Sequence, residues 1–191
     1  MLNLTPNDDA NRLLTNEPFA LLVGMLLDQQ FPMERAFASP QLLADRLGTP
    51  GRLSPEAILT TSESKLLEIA KGPPAIHRYP GSMAGRIREL ALAVVDQYDG
   101  DASRIWVDAK NGQSAYNNLR ALPGFGEAKA KIFLALIGKQ LDQAPPGWQR
   151  ACTPYGRTGT TMSIADVTSP ESLLKVRAWK QRKKAAAAKP R

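Results

Sequence analysis

The chain has 191 residues, 43% of them hydrophobic and 23% charged, which suits one well-buried domain or two small lobes and argues against large-scale disorder. Its longest apolar run, Phe19 to Leu27, falls well short of the ~20 residues that cross a bilayer, and no basic-then-apolar leader opens the sequence, so a cytosolic protein is expected. The net charge of +7 is concentrated at one end: nothing acidic follows Glu171, whereas Lys175, Arg177, Lys180, Arg182, Lys183, Lys184, Lys189 and Arg191 do, a pattern of either a solvated tail or a phosphate-gripping arm.

In chain order, Glu17 to Gln30 reads as a helix apolar on nearly every face, and so central to a core, ended by Gln29-Gln30-Phe31-Pro32. Ser39-Pro40, Ser54-Pro55-Glu56 and Ser169-Pro170-Glu171 each present a capping serine before a first-turn proline and predict three helix starts. Thr60 to Glu63 has capping-box spacing and opens a helix through Leu66, Leu67, Ile69 and Ala70 that stops at Gly72-Pro73-Pro74. Met83 to Tyr98 is the clearest amphipathic helix, with Ile87, Leu90, Ala91, Val94, Val95 and Tyr98 at helical spacing. His77, the only histidine, reads as a surface or hydrogen-bonded residue, because alone it makes a poor metal site. No stretch alternates apolar and polar residues as a strand does, so an all-α bundle or barrel is expected.

Asp99-Gly100-Asp101 and Asn111-Gly112 mark turns. Beyond them, a short helix starting near Ser114 and a second running to about Ile137 flank Leu122-Pro123-Gly124-Phe125-Gly126. Gly124 and Gly126 permit positive φ and leave backbone N–H groups uncovered, Phe125 can drop into the core, and the second helix points its N-terminal dipole at the turn. A phosphate fits there, with Lys129 and Lys131 adding charge. The alternative is a plain helix-helix turn. Residues 144–163 form a Gly/Pro/Thr-rich loop too long for a simple connector; within it Trp148 and Tyr155 either stack on a base or anchor the loop. Cys152, the lone cysteine, excludes an intramolecular disulfide, a cysteine zinc site and a four-cysteine iron–sulfur cluster.

LPGFG between two helices resembles the hairpin of the helix-hairpin-helix DNA-binding motif. Together with the helix ending Leu26-Leu27-Asp28-Gln29-Gln30, SPEAIL, KLLEIAKG and GSMAGRIRELALAVV, it follows the order seen in the HhH-GPD superfamily of base-excision DNA glycosylases, within it an actinobacterial-type group. The resemblance covers about residues 17–140. It implies a six-helix barrel containing the hairpin over 17–140, a second lobe from 1–16 and 141–191, and double-stranded, damaged DNA as the partner of a monomer associated with the nucleoid. A monovalent cation on the hairpin carbonyls is also implied. Gln29, Gln30 and Phe31 resemble the turn that fills the gap left by a flipped base, with core packing as the other reading of Phe31.

The chain departs from its relatives in three respects, the first being that the four-cysteine cluster of the endonuclease III branch is absent. Where bifunctional relatives carry a Schiff-base lysine, two residues after the second hairpin glycine, stands Ala128, so no β-lyase activity is expected. Where the catalytic aspartate is expected, some twenty residues after that glycine, Ala144 to Trp148 offer no carboxylate. Cleaving an N-glycosidic bond still needs an anion beside the sugar. Asp142 reads as an exposed helix-end residue. Asp166, after the long loop and before the last helix, is the preferred candidate, and the same placement would serve merely to support that helix's start. Asp28, beside the Gln-Gln turn, is the second, and would otherwise be a buried residue bonded to a neighbouring loop. Two functions follow: a monofunctional DNA glycosylase, or a non-catalytic DNA-binding protein that has lost its acid.

Overall fold

Helix α1 (Asp8–Asn16) begins where Asn7 accepts a hydrogen bond from the Ala10 N–H, with Asp8 and Asp9 in its first turn facing the positive end of the dipole. Our computed structural model of the protein describes residues 1–187; Lys189 and Arg191, expected in the basic tail, lie outside the described residues. The segment before α1 is tied down by buried Asn11, whose Oδ1 accepts from the Leu4 and Thr5 N–H groups while its Nδ2 donates to the Thr5 carbonyl. Leu2 and Leu4 are thereby buried.

Helix α2 (Pro18–Leu27) is buried at every position from Phe19 to Leu27, as its all-apolar faces require. It ends three residues earlier than expected. Gln29 turns back and donates from Nε2 to the Leu26 carbonyl at 2.7 Å, and Gln30 takes a left-handed φ of 52°. The side chain thus replaces the next helical N–H donors.

Helix α3 (Met33–Arg46) corrects a second expectation: Ser39-Pro40 lies inside it and starts nothing. Both residues are buried, and the Ser39 hydroxyl lies within hydrogen-bonding distance of the Arg35 and Ile76 carbonyls. Tertiary burial on both sides of the proline outweighs its local helix-breaking tendency. Helix α4 (Pro55–Thr60) starts as predicted, with Ser54 accepting from the Ala57 N–H. The cap of α5 (Glu63–Lys71) is Ser62 rather than Thr60, because the Thr60 hydroxyl is taken by the Glu56 carbonyl in the last turn of α4. At Gly72, φ is 59° and a β-carbon would stand 2.2 Å from the Pro74 carbonyl oxygen, so the stop is enforced sterically.

Helix α6 (Pro80–Tyr98) sends Met83, Ala84, Ile87, Leu90, Ala91 and Val94 into the core. A short α7 (Arg104–Val107) follows, then α8 (Gly112–Ala121), capped by Asn111 through the Ser114 N–H. Helix α9 (Glu127–Leu136) runs on through a π-helical turn, Ile137–Leu141. A one-turn α10 (Trp148–Ala151) sits in the long loop, and a 3-10 turn (Ile164–Asp166) precedes α11 (Pro170–Ala187). Ser169 caps α11 as the sequence predicted, accepting from the Ser172 N–H.

No strand occurs among the described residues, and the fold is all-helical. Helix α2 packs on α1, α3 and α6, while α4 and α5 pack on α6. On the other side α8 packs on α7, α9 and α10. Among the described residues no helix is long and apolar enough to cross a membrane.

Candidate nucleic-acid interface and active site

The hairpin joins α8 to α9 through a tight turn in which the Leu122 N–H donates to the Leu119 carbonyl and the Phe125 N–H to Leu122. Phe125 is buried and meets Phe133 edge-on, with 6.0 Å between ring centroids. The two glycines differ from expectation and from each other. Gly124 has φ of 79°, and a β-carbon there would lie 2.4 Å from Leu26 Cδ1, so it is needed both for conformation and for the approach to α2. Gly126 has an ordinary φ of −84° and open space around its missing β-carbon. Positive φ is therefore confined to Gly124. No side chain caps α9, and Gly126, Glu127 and Ala128 are exposed, which leaves its first N–H groups facing outward.

The two hairpin lysines go separate ways. Lys131 extends over the Tyr116 ring and pairs with Glu127 at 2.7 Å. Lys129, expected beside the turn, reaches inward instead: its Nζ donates to the Met25 and Leu26 carbonyls at 2.6 and 3.0 Å, closing the C-terminus of α2. Burial lowers its pKa to about 8, partly offset by the charge of Asp28. Ala128 points outward and is exposed.

The Gln-Gln turn is braced by Arg86, which the sequence did not single out, and by His77, which takes the hydrogen-bonded one of its two expected readings. Gln29 Oε1 accepts from Arg86 Nη1 at 3.2 Å, and its carbonyl is 2.9 Å from His77 Nε2. The Tyr79 N–H donates to His77 Nδ1 at 3.1 Å, so the proton of the neutral imidazole resides on Nε2. His77 is buried, and burial is the main reason its pKa is lowered. Gln30 is exposed. Phe31 is half-buried, tilted against the His77 ring with centroids 4.7 Å apart, and covered by the Arg35 guanidinium.

Behind this turn lies a cleft of about 220 Å³ between the α2–α3 connection and α11. Asp28, Phe31 and Glu34 line one wall; Leu173, Val176 and Lys180 line the other. Asp28 is half-buried. Desolvation raises its pKa, opposed by Lys180 and Lys129 and reinforced by Glu34. Glu34 itself pairs with Arg177 of α11.

Asp166 is differently placed. Its side chain is 5% exposed, Oδ1 accepts from Lys139 Nζ at 2.6 Å and Thr160 Oγ1 at 3.0 Å, and Oδ2 accepts from the Met162 and Ser163 N–H groups. With Ser163 it forms a reciprocal capping box. The carboxylate thus fastens the end of the long loop to the π-helical turn. Asp142 is exposed in a left-handed conformation at the end of that turn. Trp148 packs over Gly138, where a β-carbon would lie 2.6 Å from the indole, and the Gly112 N–H donates to the Pro146 carbonyl at 2.8 Å. Anchoring thus accounts for Trp148.

The model of the HhH-GPD superfamily of base-excision DNA repair proteins matches residues 23–189, which spans the hairpin, the Gln-Gln turn and both aspartates. The chain belongs to that superfamily. This HhH-GPD protein keeps its family's hairpin between α8 and α9, and the coarse activity that goes with membership is base-excision DNA repair. A search of curated proteins returned no match.

Proposed function

We propose that this HhH-GPD protein is a monofunctional DNA glycosylase whose active-site anion is Asp28. The observation that carries this reading is the contrast between two carboxylates: Asp166 has both oxygens engaged by four donors, whereas Asp28 faces a cleft beside lysines that offset its burial. In this reading the α9 N-terminus and the exposed hairpin hold a phosphate, α11 adds basic contacts, and the flipped nucleotide enters beside Asp28. The C1′–N bond breaks with its electron pair leaving on the base. Asp28 stabilises the cationic sugar and accepts a proton from the water whose hydroxide joins C1′; the departing base takes up a proton from solvent, and Asp28 returns its own to solvent, so the enzyme ends unchanged. A monovalent cation at the hairpin would be held by backbone carbonyls of the Leu122–Gly126 turn, in which Gly124 and Gly126 are exposed and Leu122 and Phe125 are buried.

Single-turnover incubation with duplexes carrying uracil, alkylated, oxidised or deaminated bases, followed by alkali, tests the reading. Asp28→Asn should lower excision roughly 10²-fold or more while DNA binding persists. Asp166→Asn strands Lys139 beside a neutral amide, so it should destabilise the fold by about 3 kcal/mol or more and leave single-turnover chemistry near wild type below the melting range. Borohydride should trap no adduct, since Ala128 offers no amine. The non-catalytic reading draws on the structural commitments of Asp166; duplex binding without excision of any of these bases would establish it.

A further inference from the structure

Asp28 is the residue that ends α2: its N–H donates to the Gly24 carbonyl at 3.1 Å, and the chain then turns into Gln29 and Gln30. Its position therefore depends on what holds the last turn of that helix. Two contacts from the hairpin side do so. Gly124 lets the turn close on Leu26, and Lys129 Nζ binds the carbonyls of Met25 and Leu26. These two residues lie about a hundred positions along the chain from the helix they grip, so the phosphate-binding hairpin and the cleft are mechanically joined there.

We propose that Lys129 is a positioning residue for Asp28: its ammonium locks the C-terminus of α2 onto the hairpin helix and serves, beside Lys180 of α11, as a half-buried counter-charge of the carboxylate. The inference rests on the assignment of Asp28 as the active-site anion. A lysine in this place answers two needs together. The final carbonyls of a helix carry partial negative charge and lack N–H partners, which an ammonium with three donors can satisfy. A desolvated carboxylate needs a nearby cation to remain ionised near neutrality. The other charged groups around the pair are Lys180 on α11, Glu34 on α3, Arg86 on α6 and His77 in the loop before α6. Lys180 and Glu34 act on Asp28 in opposite senses, whereas Arg86 opposes the charge of Lys129. The burial of Lys129 costs the ammonium part of its stability, and the charge of Asp28 returns some of it.

The test is direct titration of the Asp28 carboxyl carbon by NMR in the full chain, in wild type, Lys129→Met and Lys129→Arg. Removing the ammonium should move the Asp28 titration to higher pH; arginine, which keeps the charge and several donors, should hold it near the wild-type position. Where excision is measurable, its acid limb, falling about tenfold per pH unit, should move with the titration in Lys129→Met and stay in place in Lys129→Arg. A purely structural lysine would lower the melting temperature and leave both curves where they are, and that result overturns the proposal. An unmoved acid limb beside a moved titration would leave the pairing intact and count against Asp28 as the anion. If Lys129→Met fails to fold, the reciprocal measurement decides: Asp28→Asn should lower the titration of the Lys129 ε-carbon below about 8, and no change there overturns the pairing.

Discussion

His77 shows how one side chain fixes the geometry of the Gln29–Gln30 turn. Its Nδ1 accepts from Tyr79 and its Nε2 reaches Gln29, so adding a proton would place an N–H against an N–H in a buried site. The folded-state pKa lies below the ordinary value of 6.5, chiefly through burial, with Arg78, Lys129 and Arg86 adding repulsion. The unfolded chain therefore binds the proton more readily. This contribution to stability is fully present above pH 6.5 and is lost as pH falls from there through the folded value. Melting temperatures should drop between pH 7.5 and pH 5. His77→Gln, which can still reach Gln29, should start lower at pH 7.5 and show a smaller drop. Asp28 works in the opposite direction at lower pH, since a raised carboxyl pKa favours the folded state as acid is added. The difference between wild type and His77→Gln therefore isolates the imidazole, and identical pH dependence in the two proteins would remove this role.

At the scale of elements, the hairpin separates two glycines that look alike in the sequence. Gly124→Ala must accommodate a positive φ and a β-carbon against Leu26, which should cost about 1–3 kcal/mol in chemical denaturation. Gly126→Ala meets open space at an ordinary φ, so stability should stay within about 0.5 kcal/mol, while the new methyl stands among the N–H groups proposed to hold phosphate and weakens duplex affinity. Loss of stability at Gly126, or unchanged affinity there, would refute the division of labour. What was legible in the sequence follows the same line between local and distant causes. Ser54-Pro55 and Ser169-Pro170 start helices because cap and proline act within one turn, and the stripe from Met83 to Val94 needs only a period of 3.6. Pro40 misled because burial of α3 from both sides overrides a local rule. The inward turn of Lys129 depends on a helix about a hundred residues away, and the ion pair of Asp166 depends on Lys139 in the π-helical turn. Spacing along the chain carries no trace of either long-range contact, although Ser163 and Asp166 stand at the capping-box spacing that accounts for the local part of the Asp166 contacts.

Over the whole molecule, charge is distributed so that a nearly neutral body ends in a basic helix. Helix α11 is fastened through buried Val176, half-buried Leu173 and the Arg177–Glu34 pair, all before residue 181. Lys180 lines the Asp28 cleft, and Lys175 pairs with Glu171 along the helix. Beyond this anchored part, Arg182, Lys183 and Lys184 continue the helix on exposed positions, and Lys189 and Arg191 follow in the sequence. Truncation after Lys180 therefore removes charge and little packing beyond the Lys183 ammonium that lies 5.1 Å over the Trp179 ring. The melting temperature should change little. If this segment grips DNA, duplex affinity should fall, and the slope of log K against log salt should flatten by about 0.9 for each phosphate that the tail had neutralised. Sequence preference among lesions should not change, because phosphate contacts position a protein without reading bases. The Lys180→Ala variant in the full chain should behave differently: it removes a cation facing Asp28, so it should shift the acid limb of excision to higher pH while altering the salt slope by no more than a single phosphate's share. A truncated protein with an unchanged salt slope would show that the tail is solvated and that the hairpin and body hold the duplex without it.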